Sequence, residues 1–323
     1  MIVRWGLDSL AAACAEAGVS SALLVASSRW DAFEPPVEAV AWWREVPSER
    51  IPDAVSAAPG ANGVLAVGGG SAIDLGKAIS AAAGLPLVSV PTTYAGAEWT
   101  SYFGVRDPQR RMRGGGGGAR PTAIVYEPEL TLDLPAETTV GTAMNALAHC
   151  AEALYVQGHD PTADEHALAG AHLISGWLPR VVSAPRDREA RTELLRGACH
   201  GGAALAGSML ALAHAMAQAI GGRYGLPHGT LNGICLPPVL RFNAAYAPDA
   251  VARFGEAIGA PGDPSGRVEA LAALAGPTRL GELGVPEADL PALAADAAQR
   301  GGNRANPKPA SAQEIERLLR EIY

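Results

Sequence analysis

Short apolar runs bounded by turn residues alternate with helix-like segments through the first part of the chain: SALLVAS at 21–27, NGVLAVGGG at 62–70, PLVSVPTT at 86–93 and TAIVYEP at 122–128. Runs of this kind, separated by helical stretches, predict βαβ units and a mostly parallel sheet, because parallel neighbours need a crossover between them. From about Gly141 the strand signals fade. Ala/Leu-rich helical stretches then run almost to the end, interrupted at PRDRE (185–189), GLPHG (225–229) and GAPGDPSG (259–266). The change of pattern predicts an α/β domain over 1–139 and an all-helical domain over 140–323. In the last segment, SAQEIERLLREIY, Ser311 and Glu314 stand at capping-box spacing and predict a helix start. Five successive glycines, Gly114 to Gly118, predict a mobile loop.

Composition narrows the function classes. At 323 residues the chain is long enough for two cores, and 48% hydrophobic against 18% charged residues supplies the apolar surface to bury in them. A net charge of -8 argues against a broad nucleic-acid or membrane footprint, and an anionic substrate would need a local basic pocket. Cys14, Cys150, Cys199 and Cys235 are scattered without CxxC spacing, so neither a disulfide framework nor a thiolate metal site is expected. The start, MIVRWGLDSLAAACAEAG, carries Arg4 and Asp8 and lacks an apolar run with a cleavage site, and no long apolar stretch follows. A cytoplasmic protein is expected.

Two sets of residues carry candidate chemistry. In VLAVGGGSAIDLGKAIS, Gly68, Gly69 and Gly70 separate a strand-like run from a helix beginning near Ser71. Such a turn lets backbone N–H groups approach a pyrophosphate, and the helix N-terminus adds partial positive charge. The strand end VPTTYAGAE offers the Thr92 and Thr93 hydroxyls to the same place, since ligands of open α/β sheets sit at the carboxyl ends of strands. Asp74 and Lys77 follow in the first turns of the helix, either as solvated surface charge or, for Asp74, facing the cofactor.

The second set is imidazole-rich. Asn145 and His149 are four apart in GTAMNALAHCAEALYV and project from one helix face. In ALAHAMAQAIGGRYGLPHG, His214 lies on a helix, Gly221-Gly222 suggests a break, and His228 follows Pro227. His149, His214 and His228 can converge across a helical bundle as a metal site or as hydrogen-bond donors. The other histidines, His159, His166, His172 and His200, read as surface or packing residues. Substrate carboxylates favour guanidinium forks. Arg106, Arg110, Arg111 and Arg113 crowd RDPQRRMR, which reads as a hairpin-like surface loop, and Arg223, between two of the histidines, is the preferred carboxylate partner.

GGGSAIDLGKAIS, PTTYAGAE, AMNALAHCAEALY, HAMAQAIGGRYGLPHG, LPPVLRFN and NPKP, in this order over about residues 60 to 310, resemble the iron-containing alcohol dehydrogenase superfamily, and within it the maleylacetate reductase branch. The resemblance implies a Rossmann-like α/β N-terminal domain holding NADH or NADPH, an all-α C-terminal domain (the dehydroquinate synthase-like architecture) and a substrate cleft between them. In metal-using relatives an Asp and three His hold the ion. Those positions fall here on Asn145, His149, His214 and His228, so the anionic ligand is missing and the hold on a dication is weakened. A further family histidine is replaced by Gln218, which cannot relay protons as imidazole does.

The expected activity is reduction of maleylacetate, or a similar unsaturated oxo-dicarboxylate, to a 3-oxoadipate-type product by NAD(P)H in the breakdown of aromatic compounds. Catalysis is expected from His149, His214, His228, Asn145 and Arg223 without a divalent metal; if one is held, the three histidines are its ligands. An Fe- or Zn-dependent alcohol dehydrogenase is the alternative, and a non-redox biosynthetic enzyme recruited from this fold is a third. Arg29 and Asp31 in SSRWD favour opposite cofactors, so the sequence leaves NAD and NADP both open. A homodimer is expected. Trp42-Trp43 either mark a contact surface or pack on the sheet.

Overall fold

A computed structural model describes residues 1–323 and places all four apolar runs in one sheet. The strands of the chain are β1 (Ile2–Trp5), β2 (Ser21–Val25), β3 (Glu38–Trp43), β4 (Gly63–Gly68), β5 (Leu87–Pro91), β6 (Phe103–Arg106), β7 (Met112–Gly116) and β8 (Ala123–Tyr126). Six of them form a parallel sheet in the order β1-β8-β5-β4-β2-β3. Side chains alternate across a strand, and each strand therefore feeds two cores. Leu24, Leu65, Val67, Val88 and Val125 pack with Leu10 and Cys14 of α1 (Leu10–Glu16). Their neighbours Leu23, Val25, Val64, Ala66 and Leu87 pack with Ala54 of α2 (Ile51–Ser56) and with Ile73 and Ile79 of α3 (Gly70–Ala83). Covering both faces explains why the central strands are continuous apolar runs.

The chain divides into two units, Met1–Thr93 with Ala97–Thr131, and Tyr94–Gly96 with Leu132–Tyr323. The division falls after the 3-10 turn at Pro128–Thr131, a few residues before the expected 139. The first unit also holds strands that the hydrophobic pattern did not announce. β1 and β3 lie at the two edges, where a strand is only half-covered. Trp42 and Trp43 belong to β3 and pack on the sheet: Trp42 Nε1 donates to Ala26 O at 2.8 Å, and the Arg44 guanidinium lies 4.0 Å over its ring.

The glycine run is a second difference. Gly114 to Gly116 are strand, paired antiparallel with β6, and not the loop that five glycines suggest. The hairpin supplies what the glycines lack, for its turn is tied by Asp107, whose carboxylate accepts from Arg111 N, Arg111 Nε and Arg113 Nε. The RDPQRRMR run is thus the surface hairpin it resembles, with Arg111 and Arg113 spent on that turn.

The second unit contains only helices: α4 (Ala136–Tyr155), α5 (Pro161–Ser183), α6 (Arg188–Ala206), α7 (Leu212–Tyr224), α8 (His228–Asn243), α9 (Pro248–Ala257), α10 (Pro264–Ala272), α11 (Leu290–Gln299), α12 (Gly301–Ala305) and α13 (Ala312–Glu321). Their starts are chemically marked. Asp160 accepts from Thr162 N and Ala163 N at the head of α5, Asp187 from Ala190 N at α6, and Ser311 with Glu314 closes a capping box at α13. The expected break at Gly221-Gly222 does not occur; α7 runs on to Tyr224 and ends at Gly225 in the left-handed conformation. A glycine inside a helix costs only about 1 kcal/mol against alanine, which packing of Gly221 beside Leu231 of α8 offsets. Close approach also decides where α8 begins. A Cβ on Gly229 would overlap the Gly141 carbonyl oxygen, so the backbones of α4 and α8 touch there and His228 is delivered beside α4.

Candidate functional site

The glycine turn lies where the sheet order reverses. From β2 the chain goes to β3 on one side and then to β4 on the other, which makes the carboxyl ends of β2 and β4 the crevice in which open α/β sheets bind ligands. β4 ends at Gly68 opposite Pro91 of β5, and Thr92 N donates to Gly68 O at 3.0 Å, so the glycines and Thr92-Thr93 are neighbours as expected. Gly68 has φ +148°, and a Cβ there would come within 2.8 Å of Ala72 Cβ; one on Gly69 would come within 2.8 Å of Thr93 Cγ2. Side chains are therefore excluded from the turn by its own packing. Gly69 O accepts from Ala72 N and Ile73 N, so the open donors of the helix start are those of Gly70 and Ser71. A cradle of bare backbone at a helix N-terminus fits the pyrophosphate of a dinucleotide.

Asp74 is engaged within the unit: its Oδ1 pairs with Lys77 Nζ one turn on in α3 at 2.8 Å, and its Oδ2 accepts from Gly104 N at 3.1 Å, which ties β6 to α3. Lys77 is not solvated either: its buried ammonium donates to Ala97 O and Tyr102 O. Polar residues in a first helical turn look alike in sequence whether they face a ligand or a neighbouring loop.

The histidines of the second unit come together. The rings of His149 and His214 stack with centroids 4.9 Å apart, and those of His214 and His228 lie 5.6 Å apart. His149 and His214 are buried, and His228, at the first position of α8, is half-buried. Burial first, and then the two neighbouring imidazoles, push the His149 pKa well below its ordinary value, so this ring stays neutral. Asn145 joins them: its Nδ2 donates to Ala95 O at 2.8 Å and lies 3.4 Å from His149 Nε2.

Two further residues complete the cluster and were missed. Glu152, fully buried on α4, accepts from His214 Nδ1 at 2.7 Å, Ala211 N at 2.7 Å and His214 N at 3.1 Å. Asn232, fully buried on α8, sends Nδ2 to Asn145 Oδ1 at 2.6 Å and to His228 Nε2 at 3.1 Å. The signal was present: Asn145, His149 and Glu152 form an i, i+4, i+7 polar stripe on an otherwise Ala/Leu helix, and His228 and Asn232 are four apart.

This donor set does not fit a dication. The amide that replaces a carboxylate is neutral, its oxygen is taken by Asn232, and the Nε2 atoms of His149 and His228 face amide nitrogens.

Arg223 stands apart from the cluster. It follows His214 by nine residues on the same helix, which puts it on the opposite face and about 13 Å along the axis. It is exposed and pairs with Asp289 at 3.2 Å. Gln218, four residues after His214, is half-buried. The remaining histidines stay outside the cluster: His159 pairs with Asp164, His172 is exposed, and His166 meets His200 with Nδ1 atoms 2.9 Å apart.

Family models match both parts of the chain, the iron-containing alcohol dehydrogenase over residues 6–128 and the Fe-containing alcohol dehydrogenase C-terminal family over residues 139–323. The chain belongs to the iron-containing alcohol dehydrogenase family. Among relatives in this family, maleylacetate reductase of Burkholderia cepacia is 38% identical over 264 residues, 82% of this chain and 74% of that protein. Maleylacetate reductase 1 of Rhodococcus opacus is 36% identical over 80% of this chain and 72% of its own length. The crystal structure of maleylacetate reductase from Rhizobium sp. strain MTP-10005 superposes with a TM-score of 0.89 at 30% identity, covering 100% of this chain and 95% of that one. An iron-containing alcohol dehydrogenase from Corynebacterium glutamicum also gives 0.89 at 30% identity, covering 100% and 94%. As a member of the family, the chain has the Rossmann-like α/β unit and helical unit that its motifs imply, and it is an NAD(P)-dependent oxidoreductase.

Proposed function

We propose that this oxidoreductase reduces maleylacetate, or a closely similar unsaturated oxo-dicarboxylate, to the saturated oxo acid, using NADH or NADPH and no divalent metal. One observation carries the metal-free part: Asn145 stands in the position of the family's anionic ligand and is bonded to Asn232, Ala95 O and the edge of His149 as a neutral amide. The substrate class follows from relatives 35% to 38% identical that carry the name maleylacetate reductase.

When bound, the nicotinamide supplies the hydride. The chain's part is to hold and polarise. The glycine turn fixes the cofactor by its phosphates through Gly70 and Ser71, with the Thr92 and Thr93 segment alongside. In the helical unit, imidazole N–H groups stabilise the negative charge that develops on the substrate's carbonyl oxygen as hydride adds to the conjugated double bond. His149 is buried, so its imidazole acts where water does not compete and its hydrogen bond is stronger than in water. With Arg223 turned away, the groups that bind the two substrate carboxylates are to be sought elsewhere.

The setting we propose is a cytoplasmic enzyme of aromatic-compound breakdown, working as a homodimer on a small anionic substrate with neither nucleic acid nor membrane as partner. No helix is long and apolar enough to cross a membrane. The test is consumption of NADH or NADPH with maleylacetate, followed by absorbance with and without chelator. Turnover that chelator leaves unchanged supports the reading. Turnover abolished by chelator and restored by Fe(II) or Zn(II) would favour the metal-dependent alcohol dehydrogenase, and failure to bind either nicotinamide would sink the redox assignment.

A further inference from the structure

Each hydrogen bond in the histidine cluster has only one possible direction, and together they assign the protons. An amide NH2 donates and cannot accept. Asn232 Nδ2 faces both Asn145 Oδ1 and His228 Nε2, so Nε2 of His228 is unprotonated and the ring's proton sits on Nδ1. Asn145 is held in one orientation from two sides, with Oδ1 receiving from Asn232 and Nδ2 giving to Ala95 O; flipping it would set oxygen against oxygen and NH2 against NH2. Its second N–H therefore points at His149 Nε2, which places the His149 proton on Nδ1. Glu152 settles the third ring. Both of its oxygens already face backbone N–H groups, of Ala211 and His214, so the carboxylate accepts from His214 Nδ1–H, and in the neutral ring Nε2 is the acceptor.

Two of the atoms so assigned are buried and have no partner, the donor His149 Nδ1–H and the acceptor His214 Nε2, on rings stacked 4.9 Å apart. Buried polar atoms of this kind are costly and point to a ligand. Gly96 borders this donor, since a Cβ there would lie 3.4 Å from His149 Nδ1. We propose that Asn232 and Glu152 are positioning residues that hold all three imidazoles as Nδ1–H tautomers, so that His149 Nδ1–H is the donor offered to the substrate's carbonyl oxygen. The role of His149 rests on the reductase reading; the tautomers do not.

The experiment is a long-range 1H–15N spectrum of the full-length protein with 15N-labelled histidine, assigned by single histidine variants and recorded without substrate. The expected result is a protonated Nδ1 and a bare Nε2 on His149, His214 and His228, and an Nε2–H form on any of them overturns the proposal. Asn232→Asp turns both donors into acceptors. It should switch His228 to the Nε2–H form and lower kcat by about 10- to 100-fold, the usual cost of removing an orienting partner, with KM for the nicotinamide changed by less than about threefold. An unchanged spectrum and kcat would count against Asn232. Glu152→Gln keeps an acceptor for His214 Nδ1 and should preserve that tautomer, whereas Glu152→Leu should lose it; equal spectra for the two would remove Glu152 from the role. Because the spectrum needs no turnover, absence of activity toward maleylacetate would reject the reductase reading and leave the tautomer assignment to be judged separately.

Discussion

The glycine turn and the histidine cluster are both recognisable as motifs, yet they are built on opposite principles. The turn is made of backbone. Its residues are contiguous or come from the adjacent strand end, and its chemistry comes from the side chains it lacks: Gly68 and Gly69 have no room for a Cβ. The cluster is made of side chains from α4, α7 and α8, and its chemistry depends on what each side chain is bonded to. A local device of the first kind should fail by losing cofactor affinity, and a network of the second kind by losing turnover.

The largest effect that would sharpen this contrast is expected in the network. His149→Ala removes the unpartnered donor and should lower kcat by about 10²- to 10⁴-fold with little change in nicotinamide affinity, as removal of a positioned proton-bearing group typically does; steady-state kinetics with both substrates checks it. In the turn, Gly69→Ala forces a Cβ against Thr93 and should weaken NADH binding by about 10- to 100-fold, equivalent to roughly 1.4–2.8 kcal/mol, read by fluorescence titration. If Gly69→Ala lowered kcat and left binding intact, the distinction between the two regions would collapse.

A smaller effect concerns stability in the first unit. Burial raises the Glu98 carboxyl above its ordinary value, against the opposing hydrogen bond from Tyr126 Oη at 2.7 Å. The folded chain therefore keeps a proton that the unfolded chain has released. The stability tied to this group is full below the unfolded value and is lost as pH rises through the range up to the folded one. Urea unfolding between pH 4 and pH 8 should show wild type falling relative to Glu98→Gln, by about 1.4 kcal/mol for each pH unit separating the folded value from the unfolded one. A constant gap across that range would mean that Glu98 is not held protonated. The smallest effect is expected at Arg223: being exposed and paired with Asp289, its replacement by Ala should change kcat/KM by less than about threefold, a loss of under roughly 0.7 kcal/mol. A hundredfold loss would restore it as the carboxylate partner and contradict its place on the far side of α7.

Periodicity and turn chemistry were sufficient for the central strands, the helical second half, the glycine cradle with Thr92 and Thr93, and the capping box at Ser311. In each case the signal is local, because a buried parallel strand must be apolar on both faces and a cradle or cap is made by neighbours in the chain. His149, His214 and His228 were legible as candidates because an imidazole amid alanines and leucines stands out. What sequence could not decide was the use of a polar residue whose partners are distant. Asp74 carries the chemistry of a cofactor ligand and spends it on Lys77 and Gly104; Arg223 is near the histidines in sequence and faces away from them. Glu152 and Asn232 drew no notice and turned out to orient the cluster. Gly114 to Gly116 became strand because β6 supplied the pairing that glycine cannot specify. Sequence alone determined which groups are available and the local backbone that carries them. Tertiary structure decided their partners, and for imidazoles, amides and carboxylates the partner sets which atom holds the proton and hence what the group can do.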